Sequence, residues 1–404
     1  MIIGIIGAGA SGMTAALAAA EDRNTQVILF ERQARVGKKL LATGNGRCNL
    51  TNLHADEGGY HGDDPDFSKG ALSQLDVQST LSWFRRLGLF AVAEASGRVY
   101  PYSDQANSVV DVLRFALQQE NITLRTGFEV RKLRQQDGGF LVQGDEETIF
   151  CDRLIIACGG LAGTKLGGSM SGYKLLAQFG HRATRLRPAL VQLKTDWAGV
   201  ASLKGVRANC MIKILRNGEL FSSGSGEIQF TDYGISGPVV FEVSRDVCYG
   251  SGEWSASMDF LPGYSKEVLR EALSTRRKSD LPGDELLTGI LHNRLGKVLT
   301  RAAGIRESRS LTQLTDADLE VVCKTVKAFD IPLSEPMGMD SAQVTAGGVQ
   351  TADFDPMTLE SKKVPGLYAC GEVLDVDGDC GGYNLQWAWS SGYVAGKNAR
   401  RSAE

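Results

Sequence analysis

The chain contains no Cys-X-X-Cys pair among its eight cysteines and no His-Glu-X-X-His among its four histidines. Zinc-type ligand spacing is absent, so no metal site is expected. The cysteines read as reduced thiols, which places the protein in the cytoplasm. Charge of one sign is also lacking: 44 Lys and Arg stand against 47 Asp and Glu, a net charge of −3, with no block of like charge. This argues against a dedicated basic nucleic-acid module, though a local patch is compatible with it. Aromatics at 7% and charged residues at 23% leave an ordinary composition, which excludes collagen-like, disordered and coiled-coil chains. Proline is scarce, 10 residues, while glycine is abundant at 48, about 12% against a usual ~7%. The glycines therefore mark special backbone sites. With 404 residues the chain can bury most of its apolar surface without a disulfide or metal, and two or three domains are expected. The uncharged run of residues 1–20, MIIGIIGAGASGMTAALAAA, has the length of a membrane span. It lacks flanking Lys or Arg and a basic leader region, so no membrane association is expected.

The glycine spacing explains that run better. A β-type stretch, Ile2 to Ile6, leads into Gly7-Ala8-Gly9-Ala10-Ser11-Gly12, followed by the Ala-rich helical stretch Met13 to Ala20. A second apolar run, Val27 to Phe30, ends at Glu31, 19 residues beyond Gly12. Gly7 permits a tight turn, Gly9 lets the backbone approach a pyrophosphate, and Gly12 lets helix and strand pack closely. Free N–H groups and the helix dipole then hold the phosphates. Glu31 is placed to reach a ribose hydroxyl and disfavours a 2′-phosphate. GxGxxG alone is a weak signal, since glycine turns also occur for structural reasons. The strand before, the helix after and the acid at the second strand's end make it strong, and it suits FAD and NAD equally.

The C-terminal region discriminates between them. Pro365 to Glu372 reads as a strand closing on Gly371-Glu372, which resembles the Gly-acid strand end whose carboxylate holds the ribityl chain in flavoproteins. Asp379-Cys380-Gly381-Gly382-Tyr383-Asn384-Leu385 follows, then a helix with small residues at Ala388, Gly392, Ala395 and Gly396. These permit close packing on the first helix or the sheet. The helix N-terminus would face an anion, either the pyrophosphate or the N1–C2=O edge of a reduced flavin. The alternative is a glycine-rich turn before an ordinary terminal helix. Leu154-Ile155-Ile156-Ala157-Cys158-Gly159-Gly160 reads as the strand at which the chain crosses back beneath a bound FAD. Val130, after Thr126-Gly127-Phe128-Glu129, is either a backbone contact to adenine or plain strand core.

At these residues the chain resembles the BaiN/RdsA-type (YhiN-like) flavoproteins. The stretch Gly37 to Asn52, with its GNGRCNLTN core, is highly specific, and the resemblance covers essentially the whole chain. Gly97-Arg98-Val99-Tyr100-Pro101, Ser103-Asp104, Phe230-Thr231, Gly234 to Pro238, Thr345-Ala346-Gly347-Gly348-Val349 and Gly371 to Asp375 also match. Asp232 departs from the histidine common in that family's Phe-Thr-His motif, which removes one candidate proton donor. The resemblance implies non-covalent FAD on a glutathione-reductase-like Rossmann domain interrupted by an insertion. Such proteins are linked to reducing conjugated C=C bonds of oxo-bile acids, to dihydrouridine formation in ribosomal RNA, and to oxidising aminoketones. The expected flavin-binding set is Gly7, Gly9, Ala10, Ser11, Gly12, Glu31, Arg32, Lys39, Asn45, Gly46, Arg47, Cys48, Asn49, Val130, Ala157, Gly159, Gly160, Gly371, Glu372, Gly381, Gly382, Tyr383, Asn384 and Leu385. Arg47 is expected as a cation near the pyrophosphate and ring. Cys48 is either a small wall or a proton donor, and Tyr383 either an acid or a structural tyrosine.

Pattern along the chain predicts an α/β architecture. Residues 1–190 and 336–404 form the discontinuous FAD-binding Rossmann domain, 191–262 an inserted β-rich domain, and 263–335 an inserted helical subdomain. Asn217-Gly218 between apolar runs signals a hairpin. Leu286, Leu287, Ile290, Leu291, Leu295, Val298 and Leu299 make a helical stripe, and Thr315 is an N-cap. The insertion lacks a second GxGxxG, so no resident NAD(P)H domain is expected; NAD(P)H would visit the flavin as a transient donor. The favoured reaction is hydride transfer from flavin N5 to an enone-like C=C bond of a small molecule such as a 3-oxo steroid or bile acid. The alternatives are a ribosomal RNA dihydrouridine synthase, an aminoketone oxidase releasing peroxide, and a non-catalytic flavin-binding sensor. RNA binding would use Arg182, Arg185 and Arg187, or Arg276, Arg277 and Lys278, which otherwise read as solvated faces. Gly378 to Trp389 resembles the clostridial, bile-acid-linked branch, its two tryptophans being either that signature or plain core.

Overall fold

The two apolar runs at the start of the chain become neighbouring strands of one parallel sheet. β1 (Ile2–Ile6), β2 (Gln26–Glu31), β3 (Ile122–Thr126), β4 (Arg153–Ile156) and β5 (Leu367–Ala369) lie in the order β5-β4-β1-β2-β3, every adjacent pair parallel. Uninterrupted apolar strands suit a sheet covered on both faces: Ile3, Ile5, Leu29, Ile155 and Leu367 are all fully buried. The order reverses at β1, so the carboxyl ends of β1 and β4 flank a topological switch point, where ligands of such sheets bind. The computed structural model describes residues 1–401 and comprises two units, Met1–Arg187 with Gln343–Glu404, and Pro188–Ala342.

In the first unit, α1 (Ala10–Ala19) follows β1 and packs against α2 (Tyr383–Ala399). The small residues set the spacing: a Cβ on Gly392 would lie 2.3 Å from the Ser11 carbonyl oxygen, and one on Gly396 2.2 Å from that of Ala15. Both tryptophans of α2 are core. Trp387 Nε1 donates to Gly371 O (3.1 Å) and Trp389 Nε1 to Leu50 O (2.8 Å). Strand–helix alternation does not hold throughout residues 1–190. Lys132–Gln136, Gly139–Gln143 and Thr148–Cys151 instead form a three-stranded antiparallel sheet.

The second unit is built on a six-stranded antiparallel sheet. Arg207–Arg216 and Glu219–Phe230 are joined at Asn217 (φ 52°) and Gly218 (φ 83°), the backbone of the favoured two-residue hairpin turn. Alternation follows the pleat: Cys210, Ile212 and Ile214 point inward, Asn209, Met211 and Lys213 outward. Helix Asp316–Lys327 starts at the Thr315 cap, whose hydroxyl accepts from Asp318 N while the Asp318 carboxylate accepts from Thr315 N. The apolar stripe from Leu286 to Leu299 is not one helix. Gly289 adopts φ 80°, and the helix begins only at Asn293, capped by His292. Sheet residues such as Ile212 and Met258 share one core with helix residues such as Leu269 and Leu319.

Candidate functional site

The turn after β1 is held by glycine geometry. Gly7 has φ 104° and donates to Phe30 O (2.8 Å), and a Cβ there would meet Ala157 O at 2.5 Å. A Cβ on Gly12 would lie 1.8 Å from Gly7 O, whereas Gly9 has nothing within 4 Å of its Cβ position. Gly7 and Gly12 close the turn and Gly9 leaves it open. The first N–H groups of α1, from Ala10, Ser11 and Gly12, have no partner inside the helix, an arrangement suited to an anion. Glu31 terminates β2 with each oxygen accepting one main-chain N–H, from Ala8 (2.9 Å) and Gln33 (2.8 Å). Arg32 beside it is exposed and donates to Gly167 O (2.7 Å).

Distant segments meet at Glu372. One oxygen accepts from Lys39 Nζ (2.7 Å) across 333 residues of sequence, and the other from Thr345 N (2.8 Å). A Cβ on Gly160 would touch both Glu372 Oε1 and Thr345 Oγ1 at 2.5 Å. Ala157 continues β4 by donating to Ile6 O (2.9 Å), and Gly159 beyond it has φ 70° with open space over its Cα. Gly371 is wedged between α1 and α2: its N–H donates to Ser391 Oγ (2.9 Å), and its Cβ position lies 2.5 Å from Ser11 Oγ.

The loop of residues 43–49 takes left-handed backbone at Gly44, Asn45, Gly46 and Cys48 (φ 56°, 56°, 85° and 61°). Such angles strain a residue like cysteine and concentrate at ligand clamps. Arg47 does not project as a free cation. Its guanidinium stacks 3.9 Å from the Tyr100 ring centroid, is paired with Asp104, and donates to Glu94 (3.0 Å). Cys48 is fully buried, and burial pushes its thiol up to about 12, so it is a neutral thiol. Asn49 is also buried, and its Oδ1 has no hydrogen-bond partner among the described residues.

At the start of α2, Gly381 O accepts from Asn52 Nδ2 (2.9 Å), and Gly382 has its Cβ position 2.3 Å from the Thr51 carbonyl carbon. Asn384 brackets Gly378, its Oδ1 accepting from Gly378 N and its Nδ2 donating to Gly378 O. Tyr383 is half-buried, its ring 5.9 Å from that of Tyr60, and Leu385 packs on the core. Val130 is buried between two strands, with its side chain in the core. The sequence reading missed Thr345 as a site residue. Its only signal was the Thr345-Ala346-Gly347-Gly348 motif.

These features fit an extended dinucleotide: a helix N-terminus opened by Gly9, a carboxylate at the end of β2, open glycines at Gly46 and Gly159, and an orphaned acceptor on Asn49. Residues 1–398 match the family described as HI0933-like protein Rossmann domain. The chain belongs to this HI0933-like family. It is 42% identical over 403 residues to a 3-dehydro-bile acid delta(4,6)-reductase of Clostridium scindens, covering 98% of each chain. It is 33% identical over 400 residues to a ribosomal RNA dihydrouridine synthase of Escherichia coli, covering 98% of this chain and 96% of that one. Among solved structures, a 3-ketosteroid delta1-dehydrogenase of Sterolibacterium denitrificans aligns with a TM-score of 0.51 at 12% identity. That alignment covers 98% of this chain and 99% of the other, and shows a shared fold. The chain is an FAD-dependent oxidoreductase. No helix among the described residues is long and apolar enough to cross a membrane.

Proposed function

We propose that this protein reduces a C=C bond conjugated to a carbonyl in a small, flat, apolar molecule of the 3-oxo steroid or bile-acid class. The observation that carries the proposal is the 42% identity, over 98% of both chains, to the bile acid reductase. A bound FAD would supply hydride-transfer chemistry to the β carbon, and NADH or NADPH would be its transient electron donor. Glu31 would hold the adenosine ribose, and the first turn of α1 would hold the pyrophosphate. The Lys39–Glu372 pair orients the ribityl chain. Asn49 offers Oδ1 to a bound N–H group. Cys48 excludes water as a wall of the site, and Tyr383 delivers a proton from its hydroxyl to the α carbon. Asp232 is ionised and offers no proton: the Lys204 ammonium at 2.8 Å holds its carboxyl below the usual range.

The RNA reading draws on the 33% identical relative, but one of its basic groups is occupied within the fold. Arg276 donates to Thr288 O, and Arg277 pairs with Asp316 at 2.7 Å. The test is anaerobic reduction of the flavin by NADH or NADPH, followed by addition of a 3-oxo-4-ene or 3-oxo-4,6-diene steroid. We expect stoichiometric return of the oxidised flavin spectrum with a product that has lost one C=C bond per flavin reoxidised, slowed by at least tenfold in Tyr383→Phe. The proposal fails if enones leave the flavin reduced. Peroxide release with an aminoketone would then point to the oxidase, and RNA binding at micromolar affinity or tighter, with steep salt dependence, to the RNA enzyme.

A further inference from the structure

Thr345 uses its polar atoms in three directions at the point where the crossing loop after β4 meets Glu372. Its hydroxyl oxygen accepts from both Leu161 N and Ala162 N, each at 2.8 Å. Its own N–H donates to Glu372 Oε1 (2.8 Å), and Glu372 Oε2 is held by Lys39 (2.7 Å). Thr345 is 1% exposed, so water does not stand in for these bonds. Gly160 lies in the same junction, with no room for a methyl between Thr345 Oγ1 and Glu372 Oε1. Two consecutive N–H groups thus depend on one oxygen, and a hydroxyl has the two lone pairs needed to accept both. Without that oxygen both donors lose their partner, and a buried donor without one is costly. The loop's cheapest response is to move, which carries Gly159 and Gly160 out of place, Gly160 being packed beside the Glu372 carboxylate.

We infer that Thr345 is a positioning residue of the flavin site. Its hydroxyl locks the Gly159–Ala162 turn, and its main-chain N–H aims the Glu372 carboxylate at the bound cofactor. The inference rests on the reading of this cradle as the FAD site. It does not depend on which acceptor is reduced.

The test compares Thr345→Ser, which keeps the oxygen, with Thr345→Val, which keeps the shape and loses the oxygen. Apoproteins are titrated with FAD by flavin fluorescence, the flavin midpoint potential is measured, and apoprotein melting is followed by circular dichroism. We expect Thr345→Val to weaken FAD about tenfold or more and shift the potential, and Thr345→Ser to stay within about threefold of native. Apoprotein melting should fall modestly in Thr345→Val relative to Thr345→Ser, with the far-ultraviolet spectrum native in both. Native FAD affinity in Thr345→Val overturns the inference, as does equal weakening in both variants. Should Thr345→Val not fold, Gly160→Ala tests the same junction with the hydroxyl in place: it must weaken FAD while the far-ultraviolet spectrum stays native, and unchanged affinity overturns the inference. Loss of enone turnover alongside the expected affinities would count only against the reductase reading.

Discussion

Replacing Gly392 or Gly396 by alanine pits two effects of known sign against each other. In a solvent-exposed helix, Gly to Ala stabilises by about 1 kcal/mol. Here the added Cβ would sit 2.3 Å from Ser11 O or 2.2 Å from Ala15 O, where ordinary contact begins near ~3.5 Å. The obstruction is backbone, which cannot rotate aside, so α1 and α2 must separate by roughly 1 Å. Overpacking of this kind costs about 1–3 kcal/mol, and the backbone contact argues for the upper end. The net expectation is destabilisation by about 2 kcal/mol, or a fall in Tm of about 2–3 °C for a chain of 404 residues. Calorimetry of the apoproteins measures it. The two sites should then diverge in FAD titrations: Ser11 lies in the first turn of α1 and Ala15 one turn further on, so Gly392→Ala should weaken FAD more than Gly396→Ala. An alanine variant more stable than the native protein would show that helix propensity wins, and would refute the account of how α1 and α2 pack.

Two further outcomes follow from buried ionisable groups. Burial pushes the Asp375 carboxyl up to about 6 from 3.8, so between about pH 4 and pH 6 the folded state binds more protons than the unfolded one. Stability should therefore fall by about 1–3 kcal/mol as pH rises through that window and level off above it. Asp375→Asn should flatten the slope and be the more stable protein at pH 7–8, as read by urea unfolding across pH; a rising slope in the native protein would contradict this. Cys48, buried with its thiol at about 12, should resist iodoacetamide in the folded protein, and Cys48→Ala should keep both FAD and turnover. Lost turnover with FAD retained would give the thiol a chemical role.

What the amino-acid order determined by itself is what local backbone rules decide. The Gly7-to-Gly12 turn, the acid at the end of β2, the Asn217-Gly218 hairpin and the Thr315 cap each depend on φ, ψ and contacts within a few residues. All four were legible from residue types and spacing. The stripe from Leu286 to Leu299 misled because apolar spacing does not register a left-handed Gly289 or a cap at His292. Arg47 looked like a free cation until the fold brought Glu94, Asp104 and Tyr100 around it. Trp387 and Trp389 were ambiguous until their indole N–H groups found Gly371 O and Leu50 O. The junction of Lys39, Gly160, Thr345 and Glu372 was invisible for the same reason. Its members belong to segments separated by whole domains' worth of chain, and only the order of strands in the sheet decides that β1, β4 and β5 end side by side. A spacing rule reads neighbours along the chain; a buried carboxylate or N–H takes whichever partner the packed sheet brings within 3 Å, and that choice is tertiary.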